Sequence, residues 1–219
     1  MPASELTSAI PAMARRAILA LFVASVAIVA AGQSAAANAP PPAEAFVQQN
    51  VQAGLTILNN HGASTEQKRE QFEHFILGLT DMKRIANFTL GQYRRSATPQ
   101  EQDAFAQAFQ GYAIAVYQSY FSKYSGQTLK VTGSQERQPG DTIVQTVMID
   151  PNDKSGQQPL EVDFRVLGDS GKFVVIDFSV AGIWLALEER DQFSAFLGQN
   201  NGSIATLISH LKDLAKSYK

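Results

Sequence analysis

The chain has no cysteine, only three histidines and a single tryptophan. Without cysteine there is no disulfide framework, no thiolate nucleophile, no cysteine-held metal and no lipid-modified N-terminal cysteine. His61 falls in a predicted turn, while His74 and His210 each stand on an amphipathic helix without a second ligand three or four residues away. That pattern offers no metal site. No block of basic residues occurs, so nucleic acid has no electrostatic footing. G-x-S-x-G, P-loop and dinucleotide-binding fingerprints are missing. Internal repeats are missing as well. What is present is a globular composition, 45% hydrophobic and 17% charged over 219 residues, enough for one sizeable domain or two small ones.

The N-terminus carries a local signal. Arg15 and Arg16 precede an unbroken apolar run, Ala17–Ala31, and Gln33-Ser34-Ala35-Ala36-Ala37 follows. A positive start, a short apolar segment and a small-x-small end form a secretory signal. The run is shorter than the roughly 20 residues that span a bilayer, which argues against an anchor. Cleavage is expected after Ala37, leaving residues 38–219 as the mature domain outside the cytoplasm, in the periplasm of a Gram-negative source. Formal charge is −2, and removal of residues 1–37 takes Arg15, Arg16 and Glu5, leaving about −3.

Helices come first in the mature chain. Pro40-Pro41-Pro42 opens one over about 43–59, with Val47, Val51, Leu55 and Leu58 at helical spacing. Ser64 or Thr65 caps a second, whose stripe is Phe72, Phe75, Ile76 and Leu79, and Asp81 caps a third. Thr98-Pro99-Gln100-Glu101 reads as a capping box opening a long helix to about Lys123. Phe105, Phe109, Tyr112, Val116 and Tyr120 form one continuous face of it. An ordinary core helix explains most of these side chains.

The period then changes to two. Strands are expected over Thr128–Gln135 (a weak, polar edge), Asp141–Ile149, Leu160–Val166 and from Lys172 onward, in an antiparallel meander. The last is apolar on both faces: Phe173 and Val175 alternate with Val174, Ile176 and Phe178. Such a strand must be covered on both sides. The pattern breaks at Ala181-Gly182 and resumes as a helix with Trp184 in its first turn, followed by a final helix capped by Ser203. The expected architecture is α+β: a four-stranded twisted antiparallel sheet packed against a mainly helical N-terminal part (43–125) and C-terminal helices (the sheet and these helices over 127–217), enclosing an apolar pocket.

Asp177 is the one carboxylate inside a strongly apolar run. Three readings are open: a structural carboxylate capping the next turn through backbone N–H groups, a contact at a pocket mouth, or a general base. Arg84, Arg94 and Arg190 are candidate partners. Trp184 reads either as ordinary packing or as a gate residue.

A set of short motifs carries a family resemblance. Phe75-Ile76-Leu77, Asp81-Met82, Ile85-Ala86, Leu90-Gly91-Gln92-Tyr93-Arg94 and Ala97-Thr98-Pro99 precede the Phe105/Phe109 helix. Tyr124-Ser125-Gly126-Gln127, Ile176-Asp177-Phe178, Gly182-Ile183 and Arg190-Asp191-Gln192-Phe193 follow it. In order and spacing, over roughly 43–214, these resemble the MlaC family, also called the toluene-tolerance auxiliary (Ttg) family. The resemblance implies a periplasmic phospholipid-binding protein, not an enzyme, and a monomer needing no cofactor. It would shuttle lipid between an outer-membrane lipoprotein complex and an inner-membrane ABC transporter with an MCE-domain subunit. One departure is that Trp184 stands after Ile183 where the family usually has serine. A tryptophan at a pocket mouth would narrow it, which fits the hopanoid-associated, HpnM-like branch and a rigid polycyclic cargo.

A carrier must match the apolar environment that a lipid gives up, about 0.8 kcal/mol per methylene. The expected lining is therefore Phe105, Phe109, Tyr112 and Val116 from the helix, with Val147, Val162, Phe164, Val174 and Ile176 from the sheet. Trp184, Asp177 and Arg190 are expected at the mouth, with the lipid headgroup near solvent. Two other classes compete: a small-substrate enzyme with Asp177 as base, and a ligand-free envelope scaffold marked by an exposed apolar patch.

Overall fold

The computed structural model describes residues 40–169 and 172–218; the expected signal segment and its cleavage point lie outside them. Six α-helices and one five-stranded sheet are present among the described residues. Helix α1 spans Pro42–Leu58, α2 Thr65–Leu79, α3 Met82–Thr89 and α4 Pro99–Ser119. Strands β1 (Thr128–Gln138), β2 (Asp141–Ile149), β3 (Val162–Asp169), β4 (Lys172–Val180) and β5 (Ile183–Trp184) follow, then α5 (Leu185–Gln199) and α6 (Ile204–Ser217). No helix among the described residues is long and apolar enough to cross a membrane.

The helix starts follow from local chemistry. Ser64 and Gln67 form a reciprocal capping box on α2, and Thr98 and Glu101 form another on α4. Asp81 accepts from Arg84 N–H at α3, and Ser203 from Thr206 N–H at α6. Helix α4 ends at Ser119 and tightens into a 3₁₀ turn over Phe121–Lys123, which carries the chain to the expected endpoint.

The sheet runs β1-β2-β3-β4-β5 in spatial order, antiparallel throughout, with the polar β1 at one edge as its pattern predicts. Two expectations are corrected. There are five strands, not four, and Trp184 is not in the first turn of a helix. Val180 pairs with Ile183 across Ala181 and Gly182, whose φ values are +51° and +80°. Two central residues at positive φ make the tight turn that matches strand twist, so the chain doubles back as β5 before α5 begins. Strand β3 also starts two residues later than its alternation suggests.

A bulge interrupts β4. Arg165 pairs with Asp177 and Val166 with Val175, leaving Ile176 without a partner. The extra residue explains why β4 looks apolar on both faces. Val175 and Phe178 are three apart, yet both oppose residues of one β3 face, Val166 and Phe164.

Two cores result. The larger is helical: Phe105, Phe109 and Tyr112 of α4 pack with Phe193 and Leu197 of α5 and Leu207 and Leu211 of α6. The smaller lies between α1 and the sheet, built from Ala43, Val47, Val144, Val166 and Val175.

Candidate functional site

Helix α2 has an apolar stripe but no buried residue. Its Phe72, Phe75, Ile76 and Leu79 are only partly buried, and all four line a cavity of about 310 Å³. The opposite wall is α1, which contributes Phe46, Val47, Val51, Leu55 and Leu58. These positions fall on one face at helical spacing. Gly54 belongs to the same face; a Cβ there would stand 3.4 Å from Phe75 Cε1, so the glycine allows the two helices to approach. The floor is the sheet: Leu129 of β1, Met148 of β2, Phe164 of β3 and Val175 of β4. Tyr124, Gln127 and Asn50 supply the few polar groups at its edge. The cavity has the lower end of the volume typical of small-molecule sites, and its lining is almost wholly apolar.

A second, smaller cavity of about 80 Å³ lies between α4, β4 and α5. Phe109, Tyr112 and Val116 meet Ile176, Asp177 and Phe178 there, with Ile85, Leu185 and Glu189 closing it. Tyr112 O–H donates to Glu189 Oε1 at 3.1 Å, while Glu189 Oε2 is buried with no hydrogen-bond partner. Burial pushes the Glu189 carboxyl up to about 7, against the Tyr112 hydrogen bond that lowers it.

Asp177 adopts the capping geometry. Its Oδ1 accepts from Phe178 N–H and from Ala186 N–H, each at 2.9 Å. Burial nevertheless holds its carboxyl above the usual range, outweighing the two N–H bonds and the nearby Arg165. Arg190 is elsewhere: its guanidinium donates to Asp191, lies over the Phe88 ring and faces an open concavity with Arg94 and Arg95.

The expected lining residues are thus divided. Phe164 faces the large cavity. Phe109, Tyr112, Val116, Ile176 and Asp177 line the small one. Phe105 is fully buried in the helical core. Val162 is buried on the Phe164 face of β3, and Val147 and Val174 alternate away from the cavity-lining Met148 and Val175. Trp184 sits on β5 opposite Ser179 and lines neither cavity.

Sequence reasoning recognised the α1 and α2 stripes but gave neither a part in the pocket, whose expected lining came from α4 and the sheet. One signal was available: α2 is a polar helix on average, and all but Leu77 of its large apolar side chains fall in one partly aromatic stripe.

The sequence model of the family described as MlaC protein matches residues 48–213. Among solved structures, the chain is similar to a phospholipid-binding protein from Ralstonia solanacearum in complex with a phospholipid. The TM-score is 0.68 at 20% identity, covering 80% of this chain and 98% of that one.

Proposed function

This chain belongs to the MlaC family, and on that premise we propose that it is a phospholipid carrier whose acyl chains occupy the α1–α2–sheet cavity. The observation that carries the reading is the incompletely covered stripe of α2. Four large apolar side chains left incompletely buried around 310 Å³ of apolar space are unfavourable by roughly 25 cal/mol per Å² of wetted surface. A bound hydrocarbon removes that cost and receives in return the environment it had in a bilayer. The headgroup stays outside, because burying an unpaired phosphate is prohibitive.

The carrier works in the periplasm after cleavage following Ala37. It shuttles lipid between an outer-membrane lipoprotein complex and an inner-membrane ABC transporter with an MCE-domain subunit. No covalent step is required, so direction is set by the partners. A hopanoid-type lipid is the alternative cargo; it rests on the Ile183-Trp184 departure alone.

The test is to purify the full chain from its native envelope, denature it and identify extracted lipid by mass spectrometry. Stoichiometric phospholipid supports the reading. A polycyclic lipid in its place would transfer the chain to the hopanoid branch. Protein free of lipid that also takes none from phospholipid vesicles would leave the ligand-free scaffold.

A further inference from the structure

The two cavities are neighbours, separated by a pair of rings. Phe164 lines the large cavity and Phe178 the small one. The two residues oppose each other across β3 and β4, and their rings stack at 6.4 Å between centroids with planes 29° apart. Tyr117 of α4 holds Phe178 from the other side, at 5.7 Å between centroids. Val175 and Ile176, adjacent at the bulge, likewise face one cavity each. These contacts bring the lining of the cavity of about 310 Å³ against that of the cavity of about 80 Å³.

The small cavity differs from the large one in chemistry. Its lining is apolar apart from the tyrosines Tyr112 and Tyr117, the capped carboxylate of Asp177 and Glu189, whose Oε2 is buried without a partner. A buried acceptor left unmade costs about 1–3 kcal/mol. Proteins seldom retain such a group in an apolar wall without a use for it.

We infer that the small cavity is a distal subsite for the buried end of a long apolar ligand, and that Glu189 selects an end bearing a hydroxyl group. This rests on the carrier reading above. Phe178 swings from Phe164, the two spaces join, and the chain end passes beside Ile176 to reach Glu189 Oε2. A hydroxyl suits the site better than an amine or a ketone. The Glu189 carboxyl changes protonation near neutral pH; an ammonium can only donate to it and a ketone only accept from it, whereas a hydroxyl can donate to the ionised form and accept from the neutral one. Glu189 is a specificity-determining residue here; it touches the ligand end and takes no part in holding the rest of the chain.

The experiment is displacement of a fluorescent fatty-acid probe from the full mature chain by two competitors. One is a plain long-chain fatty acid, the other its ω-hydroxylated counterpart of equal length. The wild-type protein should prefer the hydroxylated acid by about fivefold, since a hydrogen bond to a carboxylate outweighs the desolvation of one hydroxyl. Glu189→Leu should reverse the preference to about tenfold in favour of the plain acid. Val116→Phe, which fills the small cavity from α4 and leaves Glu189 in place, should reverse it as well. Equal affinity for the two acids in wild type and Glu189→Leu, or a preference that survives both substitutions, overturns the inference and leaves the carrier reading intact. Failure of both acids to displace the probe overturns the inference and the carrier reading together.

Discussion

Asp177 caps a helix to which it does not belong. Its Oδ1 accepts the Ala186 N–H of α5 at 2.9 Å from nine residues upstream, across the β4–β5 turn. The residue at the normal capping position is Trp184, whose side chain makes no capping hydrogen bond. A carboxylate from β4 therefore supplies what the local sequence lacks, and also sits favourably at the positive end of the helix dipole. Asp177→Ala should cost about 1–2 kcal/mol in urea unfolding, and Asp177→Asn, which keeps an acceptor oxygen, less than half of that. Lipid occupancy should be unchanged in both. Loss of occupancy with full stability would instead restore Asp177 to the ligand.

Val51→Phe fills the large cavity from α1. Copurified lipid should fall several-fold, while the circular dichroism spectrum is retained and the unfolding midpoint of lipid-free protein stays the same or rises, because the added ring occupies existing space. Unchanged lipid content would remove this cavity from consideration.

Gly168 and Gly182 both sit at positive φ, with very different surroundings. A Cβ on Gly168 would lie 1.9 Å from the Lys172 carbonyl oxygen, whereas nothing lies within 4 Å of one on Gly182. Gly182→Ala should cost about 1 kcal/mol, the backbone penalty alone. Gly168→Ala should cost about 3 kcal/mol or more, since backbone atoms of β4 must move. Equal losses in chemical denaturation would contradict this distinction.

Asp141 is buried at the start of β2 and takes a two-pronged contact from Arg165, Nε at 3.0 Å and Nη2 at 2.7 Å. The Arg165 guanidinium holds the Asp141 carboxyl below its ordinary value of 3.8. A depressed carboxyl contributes stability that is complete above its unfolded pKa and lost as pH falls through the folded one. Asp141→Asn should lower stability by about 2–3 kcal/mol at neutral pH and flatten the acid limb of the stability curve. An acid limb identical to wild type would contradict the pairing.

Glu189 has the opposite sign. Its carboxyl is raised from 4.5 to about 7, so between those values the native state binds the proton more tightly than the unfolded chain does. Its contribution is complete below 4.5 and is lost as pH rises through about 7. The groups around it are Tyr112, Tyr117, Tyr218, Asp177 and Glu188. The tyrosines are raised by burial, and so is Asp177. Glu189→Gln, neutral throughout, should remove most of the decline in stability from pH 5 to 7, on the order of 2 kcal/mol in wild type. Persistence of that decline in the variant would assign it elsewhere.

Local order was legible from residues alone. The cap at Ser64, the capping box at Thr98/Glu101, the α1 and α2 stripes and the alternation in β2 depend on neighbours a few positions away, and each lies where its pattern predicts. What could not be read locally was which stripe would be covered by protein. The faces of α2 and α4 are both apolar and aromatic, but α6 and α5 close over α4, whereas the α2 face is left partly buried along a cavity shared with α1 and the sheet. That choice depends on where the remote C-terminal helices dock.

The bulge at Ile176 and the β5 turn show the same division. Period-two alternation predicted a strand, but a single unpartnered residue realigned its faces, and two positive-φ residues turned an expected helix start into a strand. The sequence by itself determined the element types, the α+β class and the family, because propensity, capping and periodicity are short-range. Only the tertiary structure decided where apolar surface was left over, since unfilled space is a property of surfaces brought together from distant parts of the chain.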